Sequence, residues 1–189
     1  MSIEHAILGL LSWRPMSGYD LKKIFEEASI LYWSGNNNEI YRTLVKLHGE
    51  GLVTRQVQPQ ENLPARKVYT ITDQGRAGLK SWVQATPEPP QLRHTFLIQL
   101  AWADALAPAE LVALLAKYED EMQTQWLMAR AQPRPAESTL VPGPRTGFLD
   151  ASQARTPREA LLWKRIQEHG LSFYENELKW IRELRKELE

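Results

Sequence analysis

The chain has 189 residues, 43% hydrophobic and 24% charged, with 23 basic side chains set against 23 acidic ones. This is the balance of an ordinary soluble chain, long enough for one typical domain or two small ones, and a net charge of zero excludes a uniformly basic surface while leaving room for a local basic face. The absence of cysteine excludes disulfides, thiolate metal sites and cysteine nucleophiles, and no apolar run approaches the ~18 residues of a membrane span.

Ile3, Ile7, Leu8 and Leu11 recur at helical spacing and predict a short buried helix over residues 2–12, ended by Trp13-Arg14-Pro15. Glu4, with no basic residue ahead of it, argues against a signal peptide there, so a cytoplasmic location is expected. Ser17 opens a second helix: its hydroxyl can cap free N–H groups, and Asp20, three residues on, completes a capping-box-like pair. Tyr19, Leu21, Ile24 and Phe25 form its apolar face. A third helix starts around Asn36-Asn37-Asn38, turns Ile40, Leu44 and Leu47 inward, and stops at Gly51. The period then changes to two. Residues 52–57 and 67–71 predict a hairpin with residues 58–66, including Pro59 and Pro64, as an exposed tip. Thr72 caps a fourth helix containing Leu79, Trp82 and Val83. Thr86-Pro87-Glu88-Pro89-Pro90 cannot continue it and separates residues 1–86 from 87–189. Helical patterns return over 108–131 and 158–188, around a proline-rich stretch at 132–157 that predicts an extended loop.

The fold class expected is therefore mainly α with a small β-hairpin: an N-terminal winged helix-turn-helix followed by a C-terminal helical domain. Three segments carry a resemblance: residues 7–27 with the turn Pro15-x-x-Gly18-Tyr19, residues 38–53 with Ile40-Tyr41-x-x-Leu44 and the exit Glu50-Gly51-Leu52-Val53, and residues 65–83 with Thr72-x-x-Gly75-Arg76. In joint order and spacing they resemble the PadR-type transcriptional regulators. The second half resembles the helical tail of the branch related to virulence-gene activators, through Leu92 to Leu100, Pro108-Ala109-Glu110-Leu111 and Tyr174 to Trp180. The resemblance implies a DNA-binding domain over 1–86 and a dimerisation and effector domain over 87–189. It also implies a repressor that binds a palindromic operator as a homodimer and is released by a small aromatic effector. One departure stands out: the family's wing tip often reads Gly-Arg-Pro, whereas here it is Asn62-Leu63-Pro64, so the tip is expected to contribute little.

In a helix-turn-helix the second helix of the pair enters the major groove. With Ile40, Leu44 and Leu47 inward, Asn37, Tyr41, Arg42, Val45 and Lys46 turn partly outward. The expected DNA contacts are Asn37 and Asn38 at the helix N-terminus, then Tyr41, Arg42 and Lys46. Ser17 and Tyr19 on the preceding helix and Arg66 and Lys67 at the wing base are further phosphate candidates. Each has a plainer explanation: the asparagines as caps, Tyr41 as half-buried core, Arg42 and Lys46 as solvated surface. The competing function is a protein–protein interaction module on the same scaffold, in which basic residues 42, 46, 66 and 67 would scatter instead of sharing a face.

The last helical pattern carries two apolar stripes. One holds Leu171, Tyr174, Leu178, Ile181, Leu184 and Leu188; the other holds Trp163, Ile166, Gly170, Phe173, Glu177 and Trp180. A monomer's surface helix needs one stripe, so burial against both residues 108–131 and a second chain is expected. Trp102, Trp163 and Trp180 are candidates for an effector pocket. No catalytic site, metal or cofactor is expected: His5, His48, His94 and His169 have no ligand spacing, no phosphate loop or nucleophile elbow occurs, and Glu119-Asp120-Glu121 reads as a solvated face.

Overall fold

The computed structural model describes residues 3–27, 37–60, 63–90, 94–131 and 154–188. Residues 132–153 of the expected loop, Asn36 of the expected helix start and Asn62 of the expected wing tip lie outside the described residues. The chain forms two compact units that divide after Glu88. It is mostly helical, with one three-stranded antiparallel sheet.

The first unit contains α1 (Ile3–Leu11), β1 (Met16–Ser17), α2 (Gly18–Glu27), α3 (Asn37–Gly49), β2 (Val53–Gln60), β3 (Leu63–Ile71) and α4 (Asp73–Gln84). Its core draws Ile7, Leu8 and Leu11 from α1, Leu21 from α2, Ile40, Leu44 and Leu47 from α3, and Val53, Tyr69 and Ile71 from the sheet. The inward residues expected on the third helix are all buried. That helix ends in a Schellman turn: Leu52 N–H donates to the Leu47 carbonyl (2.9 Å) and Gly51 N–H to the His48 carbonyl (3.1 Å), which requires the left-handed φ of +73° at Gly51.

The hairpin is longer than its expected strands. β2 and β3 remain paired out to Gln60–Leu63, so residues 58–66 are mostly strand and not a long tip. Two features make this tolerable for proline. Pro59 lies in an edge strand at a register shift between Gln58 and Gln60, where a missing N–H costs no regular ladder bond. Pro64 lies where β3 has no neighbour on its other side, because β1 pairs only Met16 with Tyr69 and Ser17 with Val68. Strand β1 is itself an addition to the expected pair.

Thr72 caps α4 as expected and also ties it to the turn after α3. Its oxygen accepts from Gly75 N–H (3.0 Å) and its hydroxyl donates to the Gly51 carbonyl (2.8 Å). Gly75 is the closest approach in this unit: a Cβ there would lie 2.2 Å from the Leu52 carbonyl oxygen and 2.8 Å from Ile71 Cγ1.

The second unit contains α5 (Thr95–Ala101), a 3-10 turn (Ala103–Ala105), α6 (Pro108–Arg130) and α7 (Pro157–Leu188). Leu92 and Arg93 of the expected Leu92–Leu100 helix lie outside the described residues, and α5 is capped by His94, whose Nδ1 accepts from Leu97 N–H (3.4 Å). Pro108 sits at the first position of α6, and Glu110 accepts from Ala107 N–H (2.8 Å). Helices α6 and α7 run antiparallel, since Trp126 bonds Glu175 whereas Glu119 bonds Arg182 and Arg185. Phe96, Leu115 and Ile181 are buried between the three helices. Phe96 stacks on Tyr118 at 3.7 Å between ring centres.

A half-buried polar knot joins all three helices. The Tyr118 hydroxyl donates to Glu177 Oε2 (2.6 Å), and His94 Nε2 lies 3.0 Å from the Tyr118 oxygen. Burial, reinforced by the Glu177 carboxylate, holds the Tyr118 hydroxyl well above the usual phenol range. The acidic cluster is more than a solvated face. Glu119 accepts from Arg182 (2.7 Å) and from Arg185, and those arginines, Arg182 first, hold its carboxyl below the usual range against the opposing effect of burial. Among the described residues, no helix is long and apolar enough to cross a membrane and no cluster of His, Asp or Glu could hold a metal.

Replacing Gly75 by Ala should destabilise the first unit by about 1–3 kcal/mol, the usual cost of forcing a methyl into a packed site. This holds although Ala is the better helix former by ~1 kcal/mol. A lowered thermal midpoint for the variant is the expected reading, and a raised one would show that Leu52 yields.

Candidate nucleic-acid interface

At the start of α2 the expected capping box forms in both directions. Asp20 N–H donates to Ser17 Oγ (3.3 Å), while Ser17 N–H and the Ser17 hydroxyl each donate to Asp20 Oδ2 (2.8 Å for both). Ser17 is 4% exposed and Asp20 8%, so the structure uses Ser17 as a cap and leaves it little surface for a phosphate. The same carboxylate oxygen accepts a third bond, from Arg66 Nη2 at 2.6 Å. Burial by itself would raise the Asp20 pKa. The bonds from Ser17 and then Arg66 outweigh it and hold the carboxyl below its ordinary value.

Helix α3 presents its polar side away from the core. At 3.6 residues per turn, Asn38, Arg42 and Val45 lie opposite Ile40 and Leu47, with Tyr41 to one side and Lys46 to the other. All five are exposed. Asn37 opens the helix, and its side chain is not among those described. Tyr41, 47% exposed, is neither core nor free-standing. Its ring lies against Gly18, where a Cβ would come within 2.5 Å of Cε1. The glycine of the Pro15-x-x-Gly18-Tyr19 turn is thus the residue that lets α2 and the Tyr41 ring meet. Tyr19 is 58% exposed, with the Lys23 ammonium 5.1 Å from its ring centre, a cation–π pair that sequence reading missed although the residues are one helical turn apart.

The four cations expected on one face divide into two pairs. Lys46 bonds Glu4 of α1 and lies 3.9 Å from Glu50. Its Glu4 bond raises its pKa. Arg66 is held by Asp20. Arg42 and Lys67 are exposed and have no ion pair among the described residues. Lys46 and Arg66 are therefore clamps, α1 to α3 and β3 to α2, before they are anything else. Their partners, 42 and 46 residues away, leave no local signal in the sequence.

Two of the effector candidates lie far apart within one chain. Trp163 and Trp180 are both on α7, about 25 Å apart along it at 1.5 Å per residue. Trp163 is buried, Trp180 packs edge-on against Phe96, and Trp102 is 78% exposed.

A helix pair with an exposed polar second helix, a hairpin wing fastened to the first, and a separate three-helix unit define a winged-helix protein with a helical arm. Residues 7–81 match the transcriptional regulator PadR-like family, and residues 92–189 match the virulence activator alpha C-terminal family. The chain therefore belongs to the virulence activator alpha C-terminal family, whose domain makes up just over half of it, and carries a PadR-like family domain ahead of that domain. It is 32% identical over 122 residues to the negative transcriptional regulator PadR of Bacillus subtilis, an overlap covering 64% of this chain and 65% of that protein, just under two thirds of its length. Its fold is shared with crystal structures of Bacillus subtilis PadR in complex with operator DNA (TM-score 0.77, 22% identity, 99% of both chains) and with p-coumaric acid (0.71, 21%, 98% of both). The Vibrio cholerae virulence activator AphA shares it as well (0.66, 24%, 99% of this chain and 98% of that one).

The depressed Asp20 pKa has a definite sign in stability. Because the folded value lies below the unfolded one, this carboxylate stabilises the fold above the ordinary carboxylate pKa of about 3.9 and stops doing so as pH falls through the folded value. Asp20→Asn should therefore lower stability at pH 7 and flatten its decline below pH ~4. Urea unfolding across that range checks this; an unchanged slope would mean that Asp20 is not the titrating group.

Proposed function

We propose that the chain is a cytoplasmic, non-enzymatic repressor that binds a palindromic DNA operator as a homodimer, with α3 in the major groove and the wing along the flanking backbone. The observation that carries this is the outward side of α3: the Asn38 amide and the Arg42 guanidinium, which has no ion pair among the described residues, lie opposite a fully buried core row with the Tyr41 phenol at their flank, on a helix clamped to α1 and α2. Arg42 suits a guanine edge or a phosphate, and Tyr41 and Tyr19 offer hydroxyls to phosphate. The complex of Bacillus subtilis PadR with operator DNA supports the same reading.

The dimer is supported by the apolar surface that the second unit leaves exposed: Leu97, Ile98 and Trp102 around α5, and Leu161, Leu162 and Ile166 on the part of α7 that precedes its pairing with α6. Surfaces of this kind mark interaction sites, and a two-fold pair matches a palindrome. Release by a small aromatic effector belongs to the proposal, supported by the p-coumaric acid complex of the Bacillus relative. Because Trp163 and Trp180 lie about 25 Å apart along α7, such a pocket would need groups from beyond one α7 face.

Salt titration of DNA binding tests the reading. Removing one phosphate contact lowers the log–log slope by about 0.9, so Lys67→Ala should reduce the slope by roughly that amount per protomer bound, on every sequence. Lys46→Ala should leave the slope nearly unchanged, since its charge is already engaged by Glu4 and Glu50. A chain that selects no duplex from a random pool would overturn the function, and equal slope losses for both lysines would overturn the division between clamps and contacts.

A further inference from the structure

The crest of α3 contains one residue that the proposed function leaves without a role. Val45 is 63% exposed and stands in the row opposite the core, one turn beyond Arg42. A β-branched aliphatic side chain gains nothing there in the free protein. It is a poorer helix former than Ala and buries little apolar surface. Its neighbours on the crest, Asn38, Tyr41 and Arg42, all carry hydrogen-bonding groups. The surface that meets this crest should therefore be polar, with a single apolar feature at the height of Val45. The major groove has one such feature, the C5-methyl of thymine.

We infer that Val45 is a specificity-determining residue that packs against the C5-methyl of a thymine, once in each half of the operator. Residues three apart on a helix have Cβ atoms about 5–6 Å apart, and successive base pairs are ~3.4 Å apart. The thymine therefore lies one or two base pairs from the base or phosphate that Arg42 engages. Arg42 supplies the polar contact and Val45 distinguishes thymine from cytosine, whose ring has a hydrogen at that position. The inference rests on the DNA-binding reading and goes beyond it by naming the base and the group on it.

The test uses the full chain and the tightest duplex that it selects from a random pool. Each thymine of the selected site is replaced singly by deoxyuridine, which removes only the methyl group. The wild-type chain should lose about two- to fourfold in affinity at one thymine per half-site, the scale of one buried methyl. Val45→Ser, a change between residues of similar helix propensity at an exposed site, should keep the wild-type thermal midpoint and bind the thymine and deoxyuridine duplexes equally at that position. A selected duplex with no methyl-sensitive thymine overturns the inference. So does undiminished sensitivity in Val45→Ser. Either leaves DNA binding standing, whereas failure to select any duplex removes the DNA-binding reading and this inference with it.

Discussion

One carboxylate oxygen organises the first unit. Asp20 Oδ2 accepts from the Ser17 amide, the Ser17 hydroxyl and the Arg66 guanidinium. The first two bonds close the opening turn of α2, and the third fastens the middle of β3 to that turn. Strand β1 adds a second tie two residues along, where Ser17 pairs with Val68. The wing therefore cannot swing against α2 without breaking a partly buried, charge-assisted bond, the strong kind. Because Gly18, next to Ser17, seats the Tyr41 ring, the wing, α2 and α3 are set against one another through Ser17, Gly18 and Asp20.

That arrangement explains which charges are available to a ligand. A helix entering the major groove must be held in orientation and must also offer free groups, and the same cation serves poorly for both. Lys46 and Arg66 orient, while Arg42 and Lys67 have no ion pair among the described residues. The Schellman turn at Gly51 and the Thr72 bonds hold the other end of α3 to the sheet and to α4. The helical unit repeats the principle with Glu119, Arg182 and Arg185 and with the knot of His94, Tyr118 and Glu177, which tie α5, α6 and α7 and leave the apolar residues of α5 and of early α7 on the surface.

Features set by neighbours in sequence were legible: the capping box, with partners three residues apart, the glycine stop, the Thr72 cap, the core row of α3 and the proline break before the second unit. Features set by distant partners were not. Nothing near Arg66 announces Asp20, nothing near Lys46 announces Glu4, and His94 showed only that it lacked a metal-binding neighbour. Strand β1, at two residues, is too short to have a period. The hairpin was read short because Pro59 and Pro64 look like breaks, yet Pro59 sits at a register shift on an edge strand and Pro64 where β3 is paired on one side alone. The separation of Trp163 from Trp180 was legible as well, since 17 helical positions span about 25 Å.

The coupling between Asp20 and Arg66 is the claim on which this account depends most. A double-mutant cycle with Asp20→Asn, Arg66→Gln and the pair, read by urea unfolding at pH 7, measures it directly. The account predicts that the pair loses less than the sum of the single losses, with a coupling of about 1 kcal/mol, within the range for residues in direct contact. Additivity to within ~0.3 kcal/mol would contradict it and would make Arg66 a free surface cation like Lys67.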